Sequence, residues 1–377
     1  MGFSVIEGAA PTESPNGQLL SPNNINSLAV LEKSPSGLIG NSKDPKKRKS
    51  GLPSNISLSS LSKLSLNDTE SGISNDPLMQ DQNKVEKIKF QLTDIRYLKD
   101  IGSGSSGVVS KVLHIPSGLF MARKIVSIAT NDKEDEKRIK NLLLRELKIL
   151  RKCIHSNVIT FYGSFIEQQD INIMMEYMDL GSLEDILKKL GRIQETPISI
   201  ICLQLLNGLV YLFEEHKVIH RDIKPANILV CSKGLVKLAD FGIAKEIGVS
   251  MANSVRGTII YIPPERISKK VPSTTQSDVW SFGLTIMELA LGKYPLNVDQ
   301  ASIFDIQQMI VNDPIPSLSL DSFSKPFVQF CESTVIKDIA ARPTPKMLLD
   351  SEFIVNAKNS NFQLESWTNE LKSSYDI

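Results

Sequence analysis

The chain has 377 residues, of which 43 are basic and 42 acidic, for a net charge of +1, and 41% of its residues are hydrophobic. That balance gives no long-range field to draw in nucleic acid or a membrane surface, so nucleic acid is not expected as a substrate. Cys153, Cys202, Cys231 and Cys331 lie far apart with no CxxC pair, which argues against a zinc site or a disulfide framework and reads as reduced core thiols.

The N-terminus lacks a basic region followed by a long apolar run, and no uncharged stretch of the ~18 residues needed for a membrane span is expected. The expected address is therefore the cytoplasm, with the nucleus as a further compartment. Residues 1–90 are rich in Ser, Asn, Pro and Gly and nearly empty of aromatics after Phe3, so they are read as a disordered regulatory tail that cannot offset the entropy of ordering. Inside it, Lys46-Lys47-Arg48-Lys49 is followed by Ile56-x-Leu58 and then Leu61, Leu64 and Leu66. Cations beside an apolar-x-apolar pair can lie on an acidic patch with a neighbouring groove, although a solvated charge run or a nuclear import signal fits the tail by itself better.

From Phe90 the pattern turns to β-type alternation through Ile101, then Gly102-Ser-Gly104-Ser-Ser-Gly107-Val108-Val109. Glycines at this spacing let backbone N–H groups approach a phosphate without a blocking Cβ. A dinucleotide-binding turn would open a helix here, whereas β-branched Val108 and Val109 continue as a strand, so a hairpin lid over a nucleotide is expected. The next strand, Phe120 to Val126, carries Lys124 between apolar neighbours, aimed at the α- and β-phosphates. A helix opening at Asp132 and continuing to Leu150 has one apolar face, and its Glu146 is the expected ion-pair partner of Lys124.

Strands are expected at Val158–Tyr162 and Asn172–Met178, completing an antiparallel sheet. The change to helix-rich sequence between Met178 and Gly181 marks a hinge between two lobes, where backbone groups of Glu176 and Met178 can bond an adenine edge. A helix follows over Leu183–Leu190. Next comes the densest stretch, His220-Arg221-Asp222-Ile-Lys224-Pro-Ala-Asn227, then two short apolar runs (Asn227–Val230 and Leu235–Leu238) and Asp240-Phe241-Gly242. Here Asp222 can accept a proton from an incoming hydroxyl, Asn227 and Asp240 can ligate divalent cations through oxygen, and Lys224 can neutralise a transferring phosphoryl group.

Lys245 to Thr258 reads as a polar loop carrying Ser250 and Ser254, closed by Pro263-Pro264-Glu265. Asp278, at the head of an apolar helix running to Leu291, is placed to brace the catalytic loop backbone. Arg342 is the expected buried partner of Glu265. Further helices are expected at Ala301–Val311, Lys325–Cys331 and Lys346–Asp350. The last twenty or so residues, with Phe362, Leu364, Trp367 and Leu371, read as an amphipathic helix that packs on the core or docks an upstream partner.

His-Arg-Asp-x-Lys-x-x-Asn followed closely by Asp-Phe-Gly, with the glycine hairpin and the strand lysine in order, resembles a complete eukaryotic protein kinase over residues 95–353. The closer resemblance is to the MAP-kinase kinases, carried by Met-Ala-Arg-Lys124, by Asn-Gly-Leu-Val-Tyr211, and above all by Ser250-Met-Ala-Asn-Ser254-Val-x-Gly-Thr258 before Pro-Glu265-Arg266. It implies an α+β, bilobal kinase fold: an N-lobe over 91–178 with a small antiparallel sheet and one main helix, a mostly helical C-lobe over 179–353, and a C-terminal tail over 354–377.

The resemblance further implies ATP and Mg2+ as cofactors and a nucleotide pocket of Ile101, Gly102, Ser103, Gly104, Gly107, Val109, Ala122, Lys124, Met175, Glu176 and Met178. Asp222 becomes the catalytic base, working with Lys224, Lys124 and Glu146, while Asn227 and Asp240 hold metal. Ser250 and Ser254 become sites where an upstream MAP-kinase kinase kinase switches the enzyme on. Lys46, Lys47, Arg48, Lys49, Ile56 and Leu58 then look like a docking motif for a downstream MAP kinase, whose Thr-x-Tyr loop is the implied substrate, and a scaffold protein is a further implied partner. The tail and activation-loop wording look fungal, of a pheromone or filamentation cascade. Two departures stand out: Pro263 replaces a small residue before Pro-Glu, and Ala239 stands where many relatives have cysteine. The rival readings are a catalytically inactive kinase-like scaffold, disfavoured because Lys124, Glu146, Asp222, Asn227 and Asp240 are all present, and a kinase restricted to Ser and Thr.

Overall fold

The computed structural model of the chain describes residues 90–377 except 105–106, 129–131, 241–256, 258, 269–271, 299 and 376–377, and does not describe the side chains of Gly104, Glu146 and Tyr375. The basic cluster, Ile56, Leu58, Ser250 and Ser254 lie outside the described residues.

Five antiparallel strands form the smaller lobe: β1 (Ile95–Gly104), β2 (Gly107–His114), β3 (Leu119–Ser127), β4 (Phe161–Glu167) and β5 (Asp170–Glu176), in the order β1-β2-β3-β5-β4. Alternating side chains give the sheet two faces. On the outer one, Val112, Met121 and Met174 pack with Phe90, Tyr162 and Phe165. On the inner one, Val126, Ile171 and Ile173 pack against Ile139, Leu143 and Leu147 of helix α1 (Lys133–Leu150), residues spaced four apart on one helical stripe. Asp132 caps that helix by accepting the Glu134 amide at 2.8 Å.

Helices build the larger lobe: α2 (Leu183–Leu190), α3 (Glu195–His216), α4 (Pro264–Ile267), α5 (Thr275–Leu291), α6 (Ile303–Asn312), α7 (Lys325–Thr334), α8 (Pro345–Leu348), α9 (Glu352–Lys358) and α10 (Leu364–Tyr375). The two-stranded hairpin β6 (Ile228–Val230) and β7 (Val236–Leu238) lies on α3. Ile198, Ile201, Cys202, Leu205, Leu206, Leu209 and Leu212 of α3 are all buried, which makes it the spine of the core. Burial of each such aliphatic side chain stabilises by ~1.5–3 kcal/mol.

Three sequence expectations change. Residues 196–213, inside α3, carry no charge, so a run long enough to cross a membrane does occur; more than half of it is buried within the fold, as in a core helix. The strand expected at Val158–Tyr162 begins instead at Phe161, because Val158 and Ile159 pair with the end of β7: the Ile159 amide donates to the Leu238 carbonyl and the Leu238 amide to the Asn157 carbonyl, both at 2.9 Å. The strand expected at Asn172–Met178 starts two residues earlier and stops at Glu176, where the chain leaves the sheet for the hinge.

Candidate active site

Strand pairing fixes the roof of the cleft. Val109 lies opposite Lys124, Lys124 opposite Ile173, and Ala122 opposite Met175, so these side chains share the inner face of the sheet. Gly102 pairs with Val109 and Gly104 with Gly107, which hangs the glycine hairpin from the same register. Gly107 has φ +118°, and a Cβ there would sit 1.9 Å from the Ile125 carbonyl oxygen. Any side chain at this point forces β2 away from β3.

The floor is the 218–240 stretch. Asp278, buried in the first turn of α5, accepts the amides of His220 (2.7 Å) and Arg221 (2.8 Å). Burial pushes its carboxyl up to about 6 against the opposing pull of those two amides and of Arg221 and Arg266. The clamp holds Arg221 at φ +66°, a left-handed conformation that costs a non-glycine residue roughly 1–2 kcal/mol. The Asp222 amide donates to His220 Nδ1 at 3.3 Å, so the ring proton sits on Nε2, which donates to the Ala239 carbonyl at 3.0 Å. One imidazole thereby ties the His-Arg-Asp loop to the residue before Asp240.

Asn227 closes the loop on itself. Its Nδ2 donates to both the carbonyl oxygen and Oδ2 of Asp222, each at 2.8 Å, while Lys224 Nζ lies 3.6 Å from the same Oδ2. The Ala239 amide donates to the Asn227 carbonyl at 2.9 Å, which sets Asn227 beside Asp240. Asp240, itself at φ +53°, accepts from Lys124 Nζ at 2.6 Å. Lys124, 7% exposed and 116 residues away in sequence, thus reaches down from the roof to the floor.

The partner expected for Lys124 is Glu146, which lies on α1 with its side chain outside the described residues; the described contact of Lys124, not anticipated from the sequence, is with Asp240. Among the described residues no three His, Cys, Asp or Glu gather as a metal cage. Asn227 and Asp240 instead offer a pair of hard oxygen donors beside Lys124. That donor set suits a small divalent cation that takes its remaining ligands from phosphates and water.

At the hinge, the Glu176 amide is taken by the Thr160 carbonyl at 2.9 Å and the Met178 carbonyl accepts from Gly181 at 3.3 Å. Sequence reasoning missed one ion pair here. Lys237, 4% exposed in the middle of β7, bonds Glu176 Oε2 at 2.7 Å, and the Thr160 amide donates to the same oxygen at 3.3 Å. The signal was present, since a lysine inside the apolar run Val236-Lys237-Leu238 has to find a carboxylate once that run is buried. Below the floor, Arg342 grips Glu265 with two nitrogens at 3.0 and 3.1 Å, and its guanidinium lies 5.0 Å from the Trp280 ring centre. Pro263 leaves this pair intact.

The sequence pattern of the protein kinase domain family fits residues 95–354. The mitogen-activated protein kinase kinase MST7 of Pyricularia oryzae is 40% identical over 286 residues, 73% of this chain and 68% of that relative. The dual specificity mitogen-activated protein kinase kinase dSOR1 of Drosophila melanogaster is 39% identical over 298 residues, 73% of this chain and 74% of that relative. A two-lobed fold, a glycine hairpin over a lysine–aspartate pair and two relatives at this identity lead to one assignment: the chain is an ATP-dependent protein kinase and belongs to the MAP-kinase kinase family.

Proposed function

We propose that the chain transfers the γ-phosphate of ATP to both the Thr and the Tyr of a MAP-kinase activation loop, and that phosphorylation of Ser250 and Ser254 by an upstream kinase turns it on. The observation that carries the assignment of roles is the pair of contacts from Lys124 to Asp240 (2.6 Å) and from Asn227 to Asp222 (2.8 Å), joined by the Ala239 amide on the Asn227 carbonyl (2.9 Å). Asp222 is the proton acceptor for the incoming hydroxyl. Asn227 orients it by donating to its Oδ2. Lys224, 3.6 Å away, is placed to meet the charge of the transferring group. Lys124 holds the α- and β-phosphates, with Glu146 as its partner during catalysis.

Magnesium is the cation that we assign to Asn227 and Asp240; when bound it supplies charge neutralisation across the phosphates. Ile101, Gly102, Ser103, Gly104, Gly107, Val109, Ala122, Met175 and the hinge backbone at Glu176 and Met178 form the nucleotide pocket. The tail up to residue 90, with Lys46–Lys49, Ile56 and Leu58, is assigned to recruiting the MAP kinase, with a scaffold as a further partner. The cytoplasm, with access to the nucleus, is the proposed compartment, and a pheromone or filamentation type of cascade suits the wording of the tail and activation loop.

The test incubates the full chain carrying S250E and S254E with ATP, magnesium and an inactive MAP kinase. Phosphate is expected on both Thr and Tyr of that substrate, and Asp222→Ala or Lys124→Ala is expected to lower turnover by about 10³-fold or more, since positioning and charge neutralisation supply most of the acceleration. Phosphothreonine without phosphotyrosine overturns the dual specificity. No phosphate on either residue, with Asp222→Ala indistinguishable from the starting chain, overturns the enzyme reading in favour of a scaffold.

A further inference from the structure

The C-terminal helix α10 buries Leu364, Thr368 and Leu371 against the larger lobe, but its polar contacts converge on a single place, the back of the hinge. Asp179 follows Met178 directly. Its Oδ1 accepts the Ser232 amide at 2.8 Å, and its Oδ2 accepts both the Ser232 hydroxyl and Lys372 Nζ at 2.7 Å. Thr368 Oγ1 donates to the Ser232 carbonyl at 3.1 Å. Gly234, at φ +72°, passes so close to the start of α10 that a Cβ would sit 2.5 Å from the Glu365 nitrogen.

Ser232 and Gly234 belong to the turn between β6 and β7. That hairpin starts just after Asn227 and ends two residues before Asp240. Two further bonds lock the hinge to the hairpin: Leu180 donates to the Val230 carbonyl at 3.2 Å, and Val230 donates to the Gly181 carbonyl at 2.9 Å. A displacement of α10 therefore reaches the adenine edge through Asp179 and the cation-binding side chains through the turn.

We propose that α10 is a latch on the hinge, with Lys372 and Asp179 as positioning residues that set how tightly the nucleotide is held. The inference rests on the nucleotide pocket proposed above. Neither residue touches the substrate or the nucleotide; both act through the backbone at Met178 and the β6–β7 turn. Burial alone raises the Asp179 carboxyl, but hydrogen bonds from Lys372 and Ser232 overcome it and hold the group below the usual aspartate range. Its charge is therefore kept where the latch needs it.

The test measures ADP binding by calorimetry on the full chain, together with KM for ATP and kcat on a MAP kinase. Lys372 is half exposed, so Lys372→Met leaves the core untouched. It is expected to weaken ADP and raise KM for ATP by about threefold, the scale of a single partly exposed ion pair, with kcat unchanged. Lys372→Arg is expected to restore both constants, and Thr368→Val to move them in the same direction as Lys372→Met. Because a partly exposed pair is screened, the gap between wild type and Lys372→Met closes at 1 M salt. Equal ADP affinity in wild type and Lys372→Met, with or without a lower melting temperature, overturns the latch and leaves α10 as core packing. So does failure of Lys372→Arg to restore the constants. Absence of ADP binding in the wild type overturns the nucleotide pocket instead.

Discussion

Beneath the cleft, the 218–240 stretch is held by side chains: Asp278 clamps two amides, His220 bridges to Ala239, and Asn227 fixes Asp222 from two sides. Above it, the glycine hairpin of β1 and β2 takes its shape from strand register, and Ile101 and Val108 remain 40% and 41% exposed on it. The floor stores left-handed backbone at Arg221 and Asp240, which persists because neighbours over-determine it. The glycine hairpin has its positive φ at Gly107 (+118°), where a residue without a Cβ carries no such strain. The chemistry of phosphoryl transfer asks for this division: the proton acceptor and cation ligands must not wander, while the roof has to admit ATP and release ADP.

The rigid side of the comparison is tested hardest at its foundation. The Arg342 side chain is fully buried and bonds Glu265, Gln276 and Ile336, while Ser277 also donates to Glu265. Arg342→Met strips a buried carboxylate of its counter-charge and is expected to lower unfolding free energy by ~3–5 kcal/mol in a urea titration. The double variant with Glu265→Gln is expected to recover part of that loss, because no charge is then stranded. If Arg342→Met unfolds like wild type, the floor does not depend on this pair.

Asp278 links foundation and chemistry. Asp278→Asn keeps one acceptor for the two amides and turns an N–H toward the other, so kcat is expected to fall by about 100-fold, the scale of an unsatisfied buried hydrogen bond to a charged group. In the wild type a second signature follows from its carboxyl being pushed up to about 6. As pH falls through that value the group takes up a proton, one amide loses its acceptor, and kcat drops. The sign for stability is opposite. A folded-state value above the usual 3.8 means that protonation favours the folded chain, so the stability from this group is whole below about 3.8 and is lost as pH rises through about 6. Acid should therefore take activity near pH 6 without lowering the melting temperature through this group, and Asp278→Asn should lack that limb of the pH–rate profile.

Much of the floor could be read from the sequence because its residue types are dictated by chemistry and lie close together: Asp222, Lys224, Asn227 and Asp240 fall within twenty positions. Asp278 and the Arg342–Glu265 pair were also legible, since a lone buried charge has to be matched. What escaped was settled by distant competition. Val158 and Ile159 have strand-like side chains, yet β7 claims their backbone before the sheet can. Thr196–Phe213 lacks the apolar–polar alternation of a surface helix because α3 is enclosed by packing that periodicity cannot see. Lys372 and Asp179 are 193 residues apart in sequence, and no local pattern joins them.

The adaptable side of the comparison yields the smallest effect and the sharpest distinction. Gly107→Ala places a methyl group against the Ile125 carbonyl at a backbone angle of +118°, so β2 has to move away from β3 and carry with it the glycine hairpin proposed to hold the phosphates. KM for ATP is expected to rise by about tenfold, corresponding to ~1–2 kcal/mol of strain transferred to binding. Gly118→Ala supplies the control. Its φ of +69° imposes a comparable backbone cost, but nothing lies within 4 Å of the added methyl and the turn is remote from the glycine hairpin. It should lower stability by about 1 kcal/mol and leave KM unchanged. If both substitutions raise KM alike, the roof responds to strain anywhere in its sheet. If Gly107→Ala alone does so, then a single close approach between β2 and β3 sets the height of the roof over the phosphates.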